Sequence, residues 1–445
     1  MCADSLFTTW STRRFMLASA TISALSGAAA FAQSTPPTLP TIPAGSYNIT
    51  SYGASTTAGF DNSAAITAAI NAALASPGKG GTIIIPAGDY QSNPITLPGN
   101  INLEVDGELQ MLPMGTYDPS APTTNFISAK NATNVEISGN GQIDGQGSAW
   151  WTAYNASGGT LSRPQMIAIS ASTNVEITGV TLTNPPNVHI EIQNSSTNVT
   201  INAIKINTTA ASPNTDGIDI GANNALIENS SIADGDDNIA IGGNSPSSNI
   251  VITNMTLGVG HGLSIGSITS GGINGVTVKN VTFNGTTSGI RMKSAVGRGG
   301  TVQNLAYSNI TMTNVQNPIY ISSYYPSLPA TPPDPVVTGT EQPLWENISI
   351  ANLTSTDNQS GSNAGIIWGL PEEHVDGLTL ENVDITAKTG ADIYYADGVS
   401  LINDSIPIAA TYDAAITTSV PEPAALATAA VGLLLLKRPK RSEET

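Results

Sequence analysis

The sequence predicts an all-β protein in which one chain winds into a single-stranded, right-handed parallel β-helix with a short capping helix near its N-terminus. Composition is the first indication, because only 11% of the 445 residues are charged and 5% are aromatic, whereas glycine and small polar residues are abundant. A repeated unit is the second. Asn followed by apolar residues one and three positions later, the alternation of a half-buried strand, occurs at residues 134–137, 174–177, 198–201, 224–227, 249–252 and 347–350.

The spacing of these units favours the β-helix over other repeat folds. From Asn174 the successive units start 24, 26 and 25 residues apart, within the range of solenoid proteins. Leucine-rich repeats have similar periods, but here β-branched residues dominate and no amphipathic helix separates the strands. We therefore expect strands that pair from coil to coil around a column of Val, Ile and Leu. The recurrent Asn is predicted to be structural, satisfying turn backbone and stacking between coils.

A β-helix exposes an apolar cross-section at its end, and residues 61–74 are the candidate cap. Residues 61–63 offer side chains suited to an N-cap, and Ile66, Ala69 and Ile70 follow at helical spacing. We therefore predict one amphipathic helix packed across the first coil.

The predicted β-helical domain comprises residues 46–410. A linker at 33–45 precedes it, and a second linker is predicted at 411–419, where the strand pattern fades. Residues 1–32 form an export signal, because the Arg13-Arg14 pair, an apolar stretch and a small-residue cleavage site follow one another. The arginine pair resembles a twin-arginine signal, and a general secretory signal remains the alternative. Secretion, or a periplasmic or cell-surface location in a bacterium, is expected.

Residues 420–445 are predicted to be a sorting tail. Pro421-Glu422-Pro423 is followed by 13 residues without a charge and then by the basic cluster 437–441. An apolar run of this length is short for a spanning helix, which needs about 20 residues. The order resembles the PEP-CTERM sorting signal of exopolysaccharide-producing bacteria, which implies transient membrane association. A frayed amphipathic tail is the alternative interpretation.

Charge limits the kinds of partner that the domain can bind. The whole chain carries a formal net charge of −18, and residues 33–419 contain nine of its 15 basic residues but 29 of its 33 acids. Such a surface disfavours nucleic acid, or any other polyanion, except where cations are gathered. Arg291, Lys293 and Arg298 lie within eight residues and are therefore the candidate site for an anionic ligand. Cys2, the one cysteine, precedes the cleavage site, so the exported form has no thiol for a disulfide or metal.

Four polar motifs follow one another at coil-like spacing: Asn214-Thr215-Asp216-Gly217, Gly235-Asp236-Asp237, Gly260-His261-Gly262 and Arg291-Met292-Lys293. The steps between them are 20, 25 and 30 residues. If each step is one coil, the motifs stack on one face, with neighbouring coils ~4.8 Å apart. Carboxylates one or two coils apart are then roughly 5 to 10 Å from each other, which overlaps the ~6.5–9.5 Å of an inverting glycosidase without excluding the shorter retaining separation.

These motifs together resemble the polygalacturonases of glycoside hydrolase family 28. Residues 47–54, 143–151 and 184–190 extend the similarity, which spans roughly residues 46 to 400. The resemblance implies a pectin-lyase-like β-helix that hydrolyses the α-1,4 bonds of polygalacturonate with inversion of configuration. It implies neither a cofactor nor a metal.

Four residues match the family's catalytic positions. Asp236 matches the general acid, which protonates the glycosidic oxygen, while Asp216 and Asp237 match the residues that activate water. We expect these two like charges to raise the pKa of Asp236, as its role requires. His261 is expected to tune the protonation of the acid.

Five further residues match substrate-binding positions. Arg291 and Lys293 match the cations that hold the galacturonate carboxylate, and being two apart on a strand they should point to the same side. Asn214 matches a subsite residue, Tyr325 falls where the family has a substrate-contacting tyrosine, and Gly262 is expected to let its turn approach the sugar closely.

The roles of some other residues are less specific in the sequence. His189 and His374 are expected to be structural, and Arg298 is either a solvated loop residue or a ligand of the anionic substrate. Trp150-Trp151 fits a sugar-stacking platform or a buried anchoring pair.

Several functional alternatives remain open at this stage. One is a hydrolase of a related pectin backbone, rhamnogalacturonan or xylogalacturonan. A polysaccharide lyase on the same scaffold would use calcium carboxylates and a basic catalyst. A non-enzymatic β-helical adhesin would bind polysaccharide without cutting it. In each case the partner is an anionic polysaccharide rather than a nucleic acid, and the protein is expected to be a monomer.

Overall fold

The computed structural model describes residues 35–330, 332, 339–356 and 362–420. The predicted export signal at 1–32 and all of the predicted tail at 420–445 except Val420 lie outside the described residues. Within the described part, no helix has the length and apolar character needed to cross a membrane.

Strands dominate the described chain, with two α-helices and one short 3₁₀-helix at Ile49–Tyr52. The helices are α1 (Ser63–Ala75) and α2 (Ser148–Ala156), and the strands are β1 (Ser46–Asn48), β2 (Gly81–Ile85), β3 (Asp89–Ser92), β4 (Ile95–Thr96), β5 (Ile101–Val105), β6 (Glu108–Met111), β7 (Ile127–Lys130), β8 (Thr133–Ser138), β9 (Gln142–Asp144), β10 (Ile167–Ser170), β11 (Thr173–Thr178), β12 (Thr181–Thr183), β13 (Ile190–Asn202), β14 (Lys205–Asn207), β15 (Ile218–Glu228), β16 (Ser231–Ala233), β17 (Ile239–Ile241), β18 (Ser247–Leu257), β19 (Leu263–Ile265), β20 (Ile273–Asn284), β21 (Ser288–Lys293), β22 (Thr301–Thr313), β23 (Asn317–Ser322), β24 (Leu344–Thr356), β25 (Gly365–Trp368), β26 (Val375–Thr386), β27 (Ala391–Ile402) and β28 (Ile408–Ser419).

Each strand pairs in parallel with strands of the preceding and following coils, which confirms the predicted parallel β-helix. One row of strands carries the functional motifs. It runs β7, β10, β13, β15, β17, β19, β21, β23, with each strand hydrogen-bonded to the next. We call the outer side of this row the groove face. Seven ladder steps of ~4.8 Å give it a length of about 34 Å.

Alternation along these strands separates the core from the groove face. The inward positions stack in register as a column of buried aliphatic residues, each at most 1% exposed: Ile167, Ile190, Ile218, Ile239, Leu263, Ile290 and Ile319. The residues immediately after them point outward and form the floor of the groove, namely Ala168, Glu191, Asp219, Ala240, Ser264, Arg291 and Tyr320. The pleat of the sheet therefore delivers polar side chains to one surface while the core stays apolar.

The recurrent Asn residues form a hydrogen-bonded ladder along the coils. In each, the side-chain amide N–H donates to the amide oxygen of the Asn one coil earlier, at 2.8–3.1 Å, in the series Asn100, Asn134, Asn174, Asn198 and Asn224. All five have φ between 54° and 63°, the left-handed conformation that Asn tolerates better than other non-glycine residues. The structural interpretation of the repeat is thereby confirmed.

Helix α1 occupies the predicted capping position. Ile66, Ala69, Ile70 and Ala73 are buried in the core cluster, and the helix packs against β1, β2 and β4 at the N-terminal end. Its bounds differ by only one or two residues from the predicted 61–74.

Helix α2 was not predicted from the sequence. It buries Trp150, which makes an edge-to-face contact with Tyr117 at 6.3 Å, and it places the indole N–H of Trp151 2.9 Å from the Pro185 carbonyl oxygen. These contacts favour the interpretation of the pair as an anchor, and Trp150 is too buried to stack on a sugar.

The linker predicted at 411–419 is also wrong. These residues belong to β28, which pairs in parallel with β27, and Ala414 and Ile416 pack against the core. The Thr- and Ala-rich composition of this segment concealed a strand because the final coil has solvent on one side and needs few large apolar residues. The β-helical domain thus extends to Ser419.

Candidate active site

The fold brings three of the four motifs to equivalent positions on adjacent coils. Asp216, Asp237 and His261 each stand two residues before the first residue of a groove strand, β15, β17 and β19 respectively. Those first residues are aligned in register, so the three motif residues follow one another along the groove. The fourth motif lies on β21, the next strand of the row. The stacking expected from the spacing of the motifs is confirmed.

Asp236 and His261 form a hydrogen-bonded pair at the groove. His261 Nδ1 lies 2.8 Å from Asp236 Oδ1, and the imidazole side chain is 37% exposed, so the pair is open to a ligand. The second oxygen of Asp236 accepts a hydrogen bond from the Asn214 side-chain amide at 3.3 Å. Both oxygens of this carboxyl group are thus held in defined directions.

Asp237 lies behind this pair and is enclosed by cations. Its side chain is only 3% exposed, its Oδ1 accepts from Arg291 Nη1 at 2.7 Å, and its Oδ2 accepts from Lys293 Nζ at 2.6 Å. The Ser264 hydroxyl donates to Oδ1 as well, at 2.9 Å. Arg291 and Lys293 do point to the same side, as expected, but in the free protein they are ion-paired with a buried carboxylate.

This enclosure reverses the pKa shift expected for Asp236. Burial raises its pKa, but the hydrogen bond and the charge of His261 lower it, and Lys293 and Arg291 lower it further. The net result is a pKa below the ordinary value. The expectation of a raised pKa was wrong for the ligand-free protein because His261, Lys293 and Arg291 together outweigh the effect of burial.

Asp216 and Asp219 show the opposite shift. Burial raises the pKa of Asp216 well above its ordinary value, and the neighbouring carboxylates Asp219, Asp236 and Asp237 raise it further. Burial also raises the pKa of Asp219 to about 8, with contributions from Asp237 and Glu191, its register neighbour on the groove floor. Among the described residues, neither group forms an ion pair like those of Asp237 with Arg291 and Lys293. Burial therefore favours the protonated form of these two carboxyl groups.

The two glycines of the Gly260-His261-Gly262 motif pack against protein rather than against a ligand. Gly262 is buried with φ +88°, its N–H donates to Asn238 Oδ1 at 3.0 Å, and a Cβ there would lie 2.0 Å from the Ser288 carbonyl oxygen. At Gly260 a Cβ would collide with the side chain of Asn238. The glycines let this coil pack tightly enough to aim His261, and the close approach of the Gly262 turn to the sugar stays a prediction.

Tyr325 lies at one side of the groove beside the cations. Its ring centroid is 5.2 Å from Lys293 Nζ and 5.7 Å from Arg298 Cζ, distances typical of cation–π contacts. Arg298 also donates to the Ser267 hydroxyl at 3.1 Å. Three cations and one aromatic ring thus gather at the same part of the groove.

His189 and His374 have the structural positions expected of them. His189 is completely buried, and burial lowers its pKa to about 4, so the ring is neutral. Its Nδ1 lies 3.0 Å from the Asp216 carbonyl oxygen, which can only accept, so Nδ1 carries the hydrogen, and Nε2 accepts from Thr208. This contact fixes the backbone of Asp216. His374 pairs with Asp397, at 3.0 Å, in the last coils.

Several residues at the site were missed by the sequence interpretation. Asp234 is buried and accepts a hydrogen bond from the Asp236 N–H at 3.1 Å, and the Thr215 hydroxyl accepts one from the Gly235 N–H at 3.1 Å. Both shape the turn that presents Asp236, and the positions of Thr215 inside one motif and of Asp234 directly before another could have suggested this role. Asp219, Glu191, Ser264 and Arg163 were also missed.

The side chains at the centre of the site are a poor fit for a metal ion. Asp236, Asp237 and His261 each offer a ligand atom within 4.8 Å of the others, and they are the one such group in the described part of the chain. The oxygens of Asp237, however, already bind Arg291 and Lys293, and these fixed positive charges oppose a further cation. The expectation that no metal takes part stays a prediction.

The site opens into an elongated groove of about 790 Å³. Its lining runs from Asn125 and Ser128 beside β7 to Tyr325 beyond β23, and it includes Asp216, Asp236 and Lys293 among its polar groups. Small residues line the middle of the floor, where Ala240, Gly242, Gly243 and Gly266 leave space above the sheet. An extended, polar polymer fits this shape better than a compact apolar ligand.

Comparison with known proteins identifies the family. The sequence model of the glycosyl hydrolases family 28 matches residues 76–400. An endo-polygalacturonase of Pectobacterium carotovorum subsp. carotovorum is 33% identical over 360 residues, which are 74% of this chain and 86% of that protein. A probable polygalacturonase of Arabidopsis thaliana is 34% identical over 289 residues, or 62% of this chain and 61% of the plant protein.

A solved structure agrees with the sequence comparison. The polygalacturonase from Erwinia carotovora ssp. carotovora superimposes with a TM-score of 0.65 and 28% identity, covering 86% of this chain and 100% of that one. The family match spans the whole groove face and all four motifs. The chain therefore belongs to the glycosyl hydrolases family 28.

Proposed function

We propose that the protein is an exported polygalacturonase that hydrolyses the α-1,4-galacturonosidic bonds of polygalacturonate by a single, inverting displacement. Membership of family 28 and the polygalacturonases among its relatives support hydrolysis of pectin. The observation that carries the proposal is the juxtaposition of a half-buried carboxyl group, Asp236, with the cations Arg291 and Lys293 in one elongated groove. A proton donor thus lies next to a site for a sugar carboxylate.

Asp216 is the better candidate for the base that activates water. Asp237 is held by two cations, which stabilise its charged form and weaken it as a proton acceptor. Its ligand atom also lies within 4.8 Å of that of Asp236, too close for the ~6.5–9.5 Å that leaves room for a water between two carboxyl groups. We assign to Asp237 the task of holding Arg291 and Lys293 in place.

Substrate binding can reverse the protonation of the two reacting carboxyl groups. In the free protein Asp236 has the lowered pKa and Asp216 the raised one. A sugar carboxylate on Arg291 and Lys293 offsets the charges that lower the pKa of Asp236. Because the carboxylates interact strongly, we infer that the cluster shares a proton that rests on Asp216 before binding and on Asp236 afterwards. Asp236 then acts as the acid and Asp216 as the base.

The same proposal includes export and processing. The sequence patterns at 1–32 and 420–445 support a bacterial exported protein with transient membrane association through its tail. A monomer that acts on pectin outside the cytoplasm is the corresponding functional form.

The activity test separates this function from its alternatives. The purified protein is incubated with polygalacturonate and a calcium chelator, and reducing ends, ultraviolet absorbance and the anomer of the product are followed. We expect reducing ends of inverted configuration without unsaturated product. Unsaturation would indicate a lyase, and retained configuration would exclude the single displacement. Faster cleavage of rhamnogalacturonan or xylogalacturonan would show that the enzyme prefers that backbone to polygalacturonate. No cleavage of any of these substrates would favour a non-enzymatic binding protein.

The pH profiles test the transfer of the proton on binding. We expect the alkaline limb of kcat to lie about one pH unit above that of kcat/KM. The acid must be protonated, so activity is lost as the pH rises and the carboxyl cluster loses its shared proton, which we place on Asp216 in the free protein and on Asp236 in the complex. The negative charge of a bound sugar carboxylate raises the pKa at which that proton leaves. Initial rates on polygalacturonate from about pH 3 to 9 give both profiles. Coincident alkaline limbs would show that substrate leaves this pKa unchanged.

A further inference from the structure

Arg163 is a buried cation that contacts the site from the side. Its Nη1 donates to the carbonyl oxygens of Pro186 and Pro213, both at 2.7 Å, and its Nη2 donates to Asn214 Oδ1 at 2.9 Å. The guanidinium lies 3.8 Å from the ring centroid of Tyr154, and the residue is only 8% exposed. One side chain therefore links two loops, 23 and 50 residues away, at the edge of the groove.

The contact with Asn214 decides the orientation of its amide. A guanidinium has donors and no acceptor, so the group of Asn214 that faces Arg163 must be the oxygen. The NH₂ group is then directed to the other side, where it donates to Asp236 Oδ2 at 3.3 Å. If the amide were turned over, two acceptors would face each other at Asp236. Arg163 thus selects the one orientation in which Asn214 donates to the carboxyl group.

The partner on the other side of Asp236 completes the arrangement. His261 holds Oδ1 at 2.8 Å while Asn214 holds Oδ2, so the plane of the carboxyl group is fixed by one contact at each oxygen. The imidazole reaches the pair from the coil after Asp236, and Asn214 from the coil before it. The direction of the Asn214 contact is set by Arg163.

We propose that Arg163 is a positioning residue for catalysis: it orients Asn214 so that the amide of Asn214 directs the carboxyl group of Asp236 into the groove. The proposal rests on the proposed function of Asp236 as the proton donor. It extends the active site to a side chain that lies in none of the four motifs and whose hydrogen bonds go to Pro186, Pro213 and Asn214 rather than to the reacting carboxyl groups.

Loss of Arg163 has a specific kinetic signature under this proposal. Without it Asn214 turns freely, and the hydrogen bond to the ionised form of Asp236 is lost for much of the time. A hydrogen bond to a carboxylate lowers its pKa, so loss of this bond raises the pKa of Asp236, and we expect the alkaline limb of kcat/KM to move upward by about half a pH unit to one unit. The misdirected acid lowers kcat about tenfold to a hundredfold.

A double-variant cycle tests whether Arg163 acts through Asn214. Arg163→Met, Asn214→Ala and the double variant are assayed on polygalacturonate, with Lys205→Met, the loss of an exposed cation on β14, as the matched control. We expect that in the Asn214→Ala background Arg163→Met changes kcat/KM less than about twofold and shifts the pH profile no further. Effects that multiply, or an Arg163→Met profile like that of the control, would overturn the proposal.

Two additional measurements keep the test decisive. If Arg163→Met does not fold, Arg163→Lys replaces it, because an ammonium group keeps the charge but cannot make the hydrogen bonds to Pro186, Pro213 and Asn214 in the same geometry. We expect the alkaline limb of kcat/KM to shift in the same direction. His261 can be followed by NMR in the absence of substrate, since the chain has only three histidines. The imidazole signals of His261, which lies 2.8 Å from Asp236 Oδ1, should move at constant pH in the Arg163 variant and not in the control, and unchanged signals would refute the positioning role.

The NMR measurement also separates this inference from the proposed function. A wild-type protein that leaves polygalacturonate intact would refute the function, whereas the imidazole signals of His261 would still show whether Arg163 orients Asn214 toward Asp236. Hydrolysis with additive Arg163 and Asn214 effects would refute the inference alone.

Discussion

Asp236→Asn is expected to lower kcat on polygalacturonate about 10³-fold, with little change in KM or in the free energy of unfolding. The amide has the shape of the carboxyl group but cannot supply a proton to the leaving oxygen. Substrate binding persists, because Arg291 and Lys293 keep their partner Asp237. Initial rates and denaturant unfolding of the purified variant check both parts of this expectation.

The leaving group distinguishes a lost acid from a distorted site. An oligogalacturonide with a nitrophenyl leaving group needs little protonation, so Asp236→Asn should lose much less activity on it than on polygalacturonate. The matched control is Asp392→Asn, which removes a carboxylate from the same sheet face three ladder steps beyond Arg291. Equal losses on both substrates would mean that Asp236 has a structural role.

The coil architecture was predictable because one physical pattern repeats along the chain. Alternating apolar residues after Asn recur at nearly constant spacing, and each repeat can bury its apolar side only against its neighbours. Helix α2 and strand β28 escaped prediction because their signals are local and weak. Trp150 is the one buried residue of α2, and β28 covers the last coil with small, mostly exposed side chains.

The sequence predicted most residues of the site, but it did not predict which of them form hydrogen bonds and ion pairs with one another. Motif spacing indicated that Asp216, Asp237 and His261 stack, since one coil is one repeat. The spacing of the motifs does not show which carboxylate the long side chain of a lysine or arginine contacts. Lys293 joins an Asp 56 residues earlier, and this contact depends on side-chain direction across coils.

Two further differences between the sequence prediction and the structure also result from tertiary packing. Gly262 is a glycine because the Ser288 carbonyl oxygen fills the space of its Cβ, a neighbour that the local sequence does not show. Arg163 lies in a loop outside the motifs, and its contacts join segments that meet only in the folded chain. Local sequence patterns therefore identify which residues belong to the site. The packing of the coils determines the protonation and the direction of each side chain.

The ion pair between Lys293 and Asp237 gives the second large expected effect. Lys293→Met leaves the buried carboxylate with Arg291 as its one remaining cation, and we expect it to lower the free energy of unfolding by about 3 kcal/mol. The same change should raise KM for polygalacturonate at least about tenfold, because a sugar carboxylate loses a charge-assisted partner. Urea unfolding and initial rates measure the two effects separately, with the exposed Lys279→Met of β20 as the control.

Removing the carboxylate as well should restore stability without restoring activity. In the double variant with Asp237→Asn, no buried charge is left short of a partner, so we expect about 2 kcal/mol of the lost stability to return. Binding does not recover, since the cation is still missing. If the two single changes add to within about 0.5 kcal/mol, the pair is not coupled. Recovery of stability alone would show that Asp237 maintains the cations that an anionic sugar chain needs, whereas recovery of both would mean that Lys293 serves only the fold.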